Sequence, residues 1–131
     1  MEASQEENRD STSPALFTPA AFSRLGEGEF QRRLAASSGV AVVLFSVPHC
    51  GACRAWKQLL PQALTGLAAA FHEVDVSEAT GVARYFGIFH LPTVYLYRDG
   101  QFHAELQCEA RPDTIRHKAH QLLAAPPQDE P

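Results

Sequence analysis

Cys50 and Cys53, in the run Pro-His-Cys-Gly-Ala-Cys over 48–53, are the residues of this chain best suited to carry chemistry. A thiolate is both a nucleophile and a metal ligand. At a helix start it forms readily, because the first turn offers unpaired N–H groups and the positive end of the dipole. Two intervening residues let one helical turn bring both sulfurs within disulfide range. Cys50, first in the turn, would be the exposed nucleophile, and its attack on a disulfide would give a mixed disulfide. Cys53, a turn deeper, would cleave that species as the resolving thiol.

The flanking elements must hold that geometry. Val40 to Val47 is an apolar run rich in β-branched residues, with Phe45 among them, which suits a strand buried on both faces. Pro48 cannot extend it, and Gly51 loosens the turn. From Arg54 onward, Trp56, Leu59, Leu60 and Leu64 recur at three- and four-residue spacing as one helical stripe. Pro61 lies inside that pattern, so a kink is expected between Lys57 and Pro61 before the helix continues to about Ala69.

The rest of the chain alternates strand and helix signals. Ala15–Phe17 reads as a short edge strand and Ala20–Leu25 as a turn-like connector or first helical turn. Glu29–Ala36 reads as a helix with Phe30 and Leu34 inward. Phe71–Val76 alternates like a strand, and Ser77 suits the N-cap of a helix over Glu78–Tyr85 that Gly87 stops. Phe89–Thr93 is a loop, and Val94–Tyr97 and Gln101–Gln107 form a hairpin about Asp99-Gly100. Arg111–Ala124 is a last helix with Pro112 at its start. The order implies a layered α/β domain over 15–124, between a disordered polar tail at 1–14 and a fraying segment at 125–131.

Composition limits the function. With 131 residues and 45% apolar content the chain makes one domain with an ordinary core. A formal charge of −4 without a Lys/Arg cluster argues against a nucleic-acid partner, and no apolar stretch is long enough for a membrane span. Three cysteines are too few for a stapled secreted scaffold. The start of the chain has neither a basic nor an apolar leader region, so a cytoplasmic setting is expected, where a C-x-x-C pair does redox or metal chemistry.

Taken together, the apolar strand, the C-G-A-C turn and helix, the Glu-Val-Asp-Val strand at 73–76, Leu91-Pro92-Thr93 about forty residues on, and Tyr-Arg-Asp-Gly-Gln at 97–101 resemble the thioredoxin family. The resemblance covers roughly Leu16–Leu123 and implies a thioredoxin fold, a mixed five-stranded sheet flanked by four helices. It implies a cis Leu91–Pro92 bond, with the Leu91 backbone and Pro92 walling a substrate groove. It also implies a dithiol–disulfide cycle on protein substrates, no bound cofactor, electrons from a thioredoxin reductase or glutathione, and a monomer.

Three positions depart from the family pattern. His49 stands where Trp is usual before the first cysteine, either as a substrate-side group tuning the Cys50 thiolate or as a solvated loop residue. Leu44 stands where a buried Asp usually accepts the proton of the deeper cysteine. Glu73, on the neighbouring strand, is the candidate replacement, unless it is a plain exposed glutamate. Cys108 stands where Gly is usual in a groove wall, as a third reactive thiol or a small packing residue. His117 and His120, three apart on the last helix, lack a third ligand and read as a solvated face. The alternative to an oxidoreductase is a thioredoxin-fold peptide-binding chaperone or adaptor with little redox turnover. A zinc holder would have to use Cys50, Cys53, Cys108 and His49 at a spacing no common zinc motif shows.

Overall fold

The computed structural model describes residues 22–131. The polar tail and the expected edge strand at Ala15–Phe17 lie outside those residues. Five strands, β1 (Phe22–Arg24), β2 (Val40–Ser46), β3 (Ala70–Asp75), β4 (Thr93–Arg98) and β5 (Gln101–Glu105), form one sheet in the order β1-β3-β2-β4-β5. β3 pairs in parallel with both β1 and β2, while β2–β4 and β4–β5 are antiparallel. Four helices are described, α1 (Phe30–Ala35), α2 (Gly51–Ala63), α3 (Thr80–Phe86) and α4 (Pro112–Ala124).

The sheet is buried on both faces because β2 sits at its centre, and Ala41 through Phe45 are each 0% exposed. Alternate residues point to opposite faces. Val43, Phe45, Val74 and Tyr95 pack with Phe30 and Leu34 of α1 and Val82 and Phe86 of α3. Val42, Leu44, Phe71 and Leu96 pack with Leu60 of α2 and Ile115 and Ala119 of α4. Phe45 meets Tyr95 at 5.0 Å and Phe30 meets Phe86 at 5.6 Å between centroids, both edge-on, the arrangement aromatic quadrupoles favour.

The β4–β5 turn has Asp99 at φ 51 and Gly100 at φ 85, the two left-handed positions of a type I′ hairpin. Gly100 also abuts α1, since a Cβ there would stand 2.8 Å from the Ala35 carbonyl oxygen. Gly87, at φ 64, ends α3 with its N–H on the Arg84 carbonyl.

Four expectations need correction. Phe22–Arg24, read as a connector, is a strand in register with Phe71–Glu73. α2 stops at Ala63 rather than near Ala69, because the Arg116 guanidinium takes the Ala63 and Thr65 carbonyls at 2.9 Å and Gly66 turns the chain at φ 79. Ser77 does not cap α3. Its hydroxyl and N–H both bond Asp75 Oδ1, and α3 begins at Thr80, where the Gly81 N–H donates instead to Glu27 Oε1 at 2.8 Å. The segment 125–131 does not fray freely, for the Gln128 N–H donates to the His103 carbonyl at 2.7 Å.

Candidate active site

The sheet register gathers three loops at one end. Phe45 pairs with Thr93, so the turn after β2 and the loop before β4 lie side by side. The Leu106 N–H bonds the Val94 carbonyl at 2.9 Å, which brings the Leu106–Cys108 stretch to the same end. Cys50, Leu91–Pro92 and Cys108 therefore share one pole, and the Leu91–Pro92 bond is cis.

Cys50 is the N-cap of α2, in extended backbone at φ −101 and ψ 107. Its sulfur accepts the Cys53 N–H at 3.1 Å and is bonded to Cys53 in a disulfide, with Cα atoms 5.2 Å apart. Cys50 is half-buried, whereas Cys53 is 3% exposed. The first turn of α2 carries no acidic side chain, so nothing there offsets the positive end of its dipole. A thiolate at Cys50 is favoured by both the free N–H groups and the dipole. His49 is exposed, and its backbone is left-handed at φ 65, uncommon outside glycine.

Leu44 is fully buried and pairs in register with Glu73, so both lie on the α2 side of the sheet. Glu73 is not an exposed strand glutamate. Its side chain is only 14% exposed, with Oε1 2.8 Å from Lys57 Nζ and Oε2 accepting from Ser46 Oγ at 2.8 Å. Burial pushes this carboxyl up, but the Lys57 and Ser46 hydrogen bonds and the charges of Lys57 and Arg24 outweigh it and hold it below the usual range. Sequence reasoning missed Lys57 and Ser46. The available signal was spacing, since Lys57 follows Cys53 by one helical turn on the same face.

Cys108 is half-buried against the core cluster under α2 and α4. Burial pushes its thiol up, against a smaller opposing pull from Lys118, which favours the protonated, unreactive form. His117 and His120 are exposed on α4. Among the described residues no group of three or more His, Cys, Asp and Glu side chains is placed to hold a metal ion. Phe89 is 88% exposed on the loop that leads to Leu91, an apolar ring on the rim beside the cis bond.

The fold and this pole define the class. The thioredoxin family profile matches residues 22–121, and the chain belongs to the thioredoxin family. It is 28% identical over 97 residues to a chloroplastic thioredoxin of Arabidopsis thaliana, covering 72% of this chain and 48% of that protein. The chain thus spans about half the length of that relative. A thioredoxin of Aspergillus fumigatus is 32% identical over 75 residues, covering 55% of this chain and 68% of its own. A protein disulfide isomerase-like protein of Arabidopsis thaliana is 33% identical over 81 residues, covering 60% of this chain and 14% of its own. Among solved structures, human ERp44 in a zinc-bound form superposes with a TM-score of 0.60 at 18% identity, covering 79% of this chain and 30% of that one, a likeness of fold.

Proposed function

We propose that this protein is a thiol–disulfide oxidoreductase acting on protein disulfides through Cys50 and Cys53. The observation that carries the reading is a disulfide built into a helix start, with Cys50 as the accessible N-cap and Cys53 buried behind it. In the reducing direction the Cys50 thiolate attacks a substrate disulfide, forming a mixed disulfide and releasing one substrate thiolate. Cys53, once deprotonated, attacks Cys50 Sγ. The second substrate thiolate leaves; the substrate has gained two electrons, and the protein, having lost them, is oxidised to the Cys50–Cys53 disulfide. A thioredoxin reductase or glutathione would restore the dithiol.

The Leu91 backbone and Pro92 form one wall of the proposed groove, with His49 and Cys108 at its borders. Glu73 acts in this proposal as a tuning group and weak proton acceptor, since its depressed pKa makes it a poor base. The protein works as a cytoplasmic monomer. Leu44, which leaves no acid on β2 under the disulfide, and the exposed Phe89 favour one other reading, a peptide-binding adaptor with little turnover.

The test is the reduction potential of the Cys50/Cys53 pair, from equilibration in glutathione buffers with alkylation and mass readout. A value of roughly −270 mV supports a reductase, and about −120 to −200 mV supports an oxidant or isomerase. Failure of the pair to cycle at any poise sinks the reading in favour of the adaptor. A companion measurement follows Cys50 alkylation against pH in the reduced protein. If His49 tunes the thiolate, the rate changes below about pH 7 and His49→Ala removes that change.

A further inference from the structure

We propose that the outer edge of β5 is a strand-pairing interface for a second copy of this chain, closed within the single molecule by the segment Pro126–Glu130. Among the described residues β5 pairs on one side only, with β4, and an edge strand presents its remaining N–H and C=O groups for pairing with another chain. Here two of the outward groups are taken by one residue. The Gln128 N–H donates to the His103 carbonyl at 2.7 Å, and the Glu105 N–H donates to Gln128 Oε1 at 3.0 Å. A strand residue would supply both groups from its backbone; Gln128 supplies the acceptor from its side-chain amide.

The strap is anchored at both ends. His103 Nε2 lies 2.8 Å from the Leu122 carbonyl and 3.1 Å from the Ala125 carbonyl, and donates where the strap leaves α4. The Tyr85 hydroxyl donates to Glu130 Oε1 at 3.2 Å on the far side. His103 is itself the extra residue of a bulge, because Ala104 pairs with Leu96 and Phe102 with Tyr97.

The occupant follows from the pattern of the covered groups. In an antiparallel ladder, a non-hydrogen-bonded pair is flanked by bonds from the residue after it to the residue before its partner. The two groups of β5 that Gln128 covers, the Glu105 N–H and the His103 carbonyl, flank Ala104 in that arrangement. Two copies related by a two-fold axis at Ala104 therefore satisfy each other, Glu105 N–H to the second copy's His103 carbonyl and the reverse, a self-complementary interface. Ala104 would face Ala104, where backbones come closest, at Cα separations of about 4.5 Å. His103 would face Glu105 and Phe102 would face Leu106, so no carboxylate opposes another.

The experiment uses the full chain, oxidised, carrying Gln128→Pro, which removes the N–H donor and the side-chain acceptor together. Gln128 lies outside every helix and strand and follows Pro126 and Pro127. Gln128→Ala, which keeps the N–H and loses only the acceptor, is the milder second variant. The readouts are hydrogen exchange at the Glu105 amide and sedimentation velocity across a concentration series. Wild type is expected to protect the amide and sediment as a monomer. Gln128→Pro is expected to exchange it roughly tenfold faster when dilute, as the loss of such hydrogen bonds implies. On concentration the variant should form a dimer and regain protection at Glu105, and Gln128→Ala should shift the same way by less. A Glu105 amide still protected in dilute Gln128→Pro overturns the strap. A variant that stays monomeric, or that dimerises without renewed protection at Glu105, overturns the interface.

Discussion

Lys57 and Glu73 join α2 to β3 through a 2.8 Å contact between Nζ and Oε1, directly beneath the helix that carries both thiols. Ser46 holds the other carboxylate oxygen, so Glu73 is fixed from the helix and from the central strand at once. Lys57→Met leaves that carboxylate with half its partners. Because the Lys57 side chain is 43% exposed, solvent screens the pair and the loss should be about 1 kcal/mol, read as a drop in thermal midpoint of roughly 4 °C. The pair also has a pH signature. Glu73 titrates below its ordinary value of 4.5, so its contribution is complete above that pH and is lost as pH falls through the folded value. Glu73→Gln should flatten that acid arm in urea unfolding.

His72 is a second titrating element, on the opposite face of β3. It is 7% exposed, and its Nδ1 has no hydrogen-bond partner among the described residues. Burial, helped by the Arg33 charge, pulls its pKa below 6.5. The unfolded chain therefore takes up this proton first as pH falls, and stability declines from about pH 6.5 downward until the folded group also titrates. Unfolding free energy at about pH 5.5 should be lower than at about pH 7.5, by no more than about 1.4 kcal/mol, the limit for one proton bound by the unfolded chain alone. His72→Leu should remove this difference.

Gly100→Ala tests the contact between hairpin and α1. The new methyl would meet backbone oxygens of Ala35 at 2.8 Å and Leu34 at 3.1 Å, and φ 85 is strained for any L side chain. A destabilisation of about 2 kcal/mol or more is expected from denaturant melts. Gly28→Ala, where nothing lies within 4 Å, is the control.

His49 occupies left-handed backbone immediately before Cys50. A β-branched replacement fits there worst, so His49→Val should cost about 1–2 kcal/mol, whereas His49→Gly should lie within about 0.5 kcal/mol of wild type. Differential scanning calorimetry of the oxidised proteins distinguishes them, and equal losses in both would mean that the imidazole rather than the backbone matters to stability.

Much of the site was readable because it rests on local chemistry. Val40–Ser46 announces itself by β-branching, the cysteines by spacing, and Asp99-Gly100 by turn type. What escaped notice depends on partners distant in sequence. Phe22–Arg24 has only three residues and no strong alternation, and it is a strand because β3 offers it a ladder. Ser77 reads as a cap, but Asp75 captures its hydroxyl, and α2 reads as longer, but Arg116, on another helix, takes its last carbonyl. Glu73 was placed on the correct strand, but only the fold brought Lys57 and Ser46 onto its two oxygens.

The Cys53 N–H, the third amide of α2, points at the sulfur of its cap residue Cys50 across 3.1 Å. That proton sits beside a neutral disulfide sulfur in one state and beside a thiol or a full negative charge in the others. It is consequently a spectroscopic gauge built into the backbone. Its nuclear magnetic resonance shift should report the oxidation and ionisation of Cys50 directly, with no probe attached to the reacting atom.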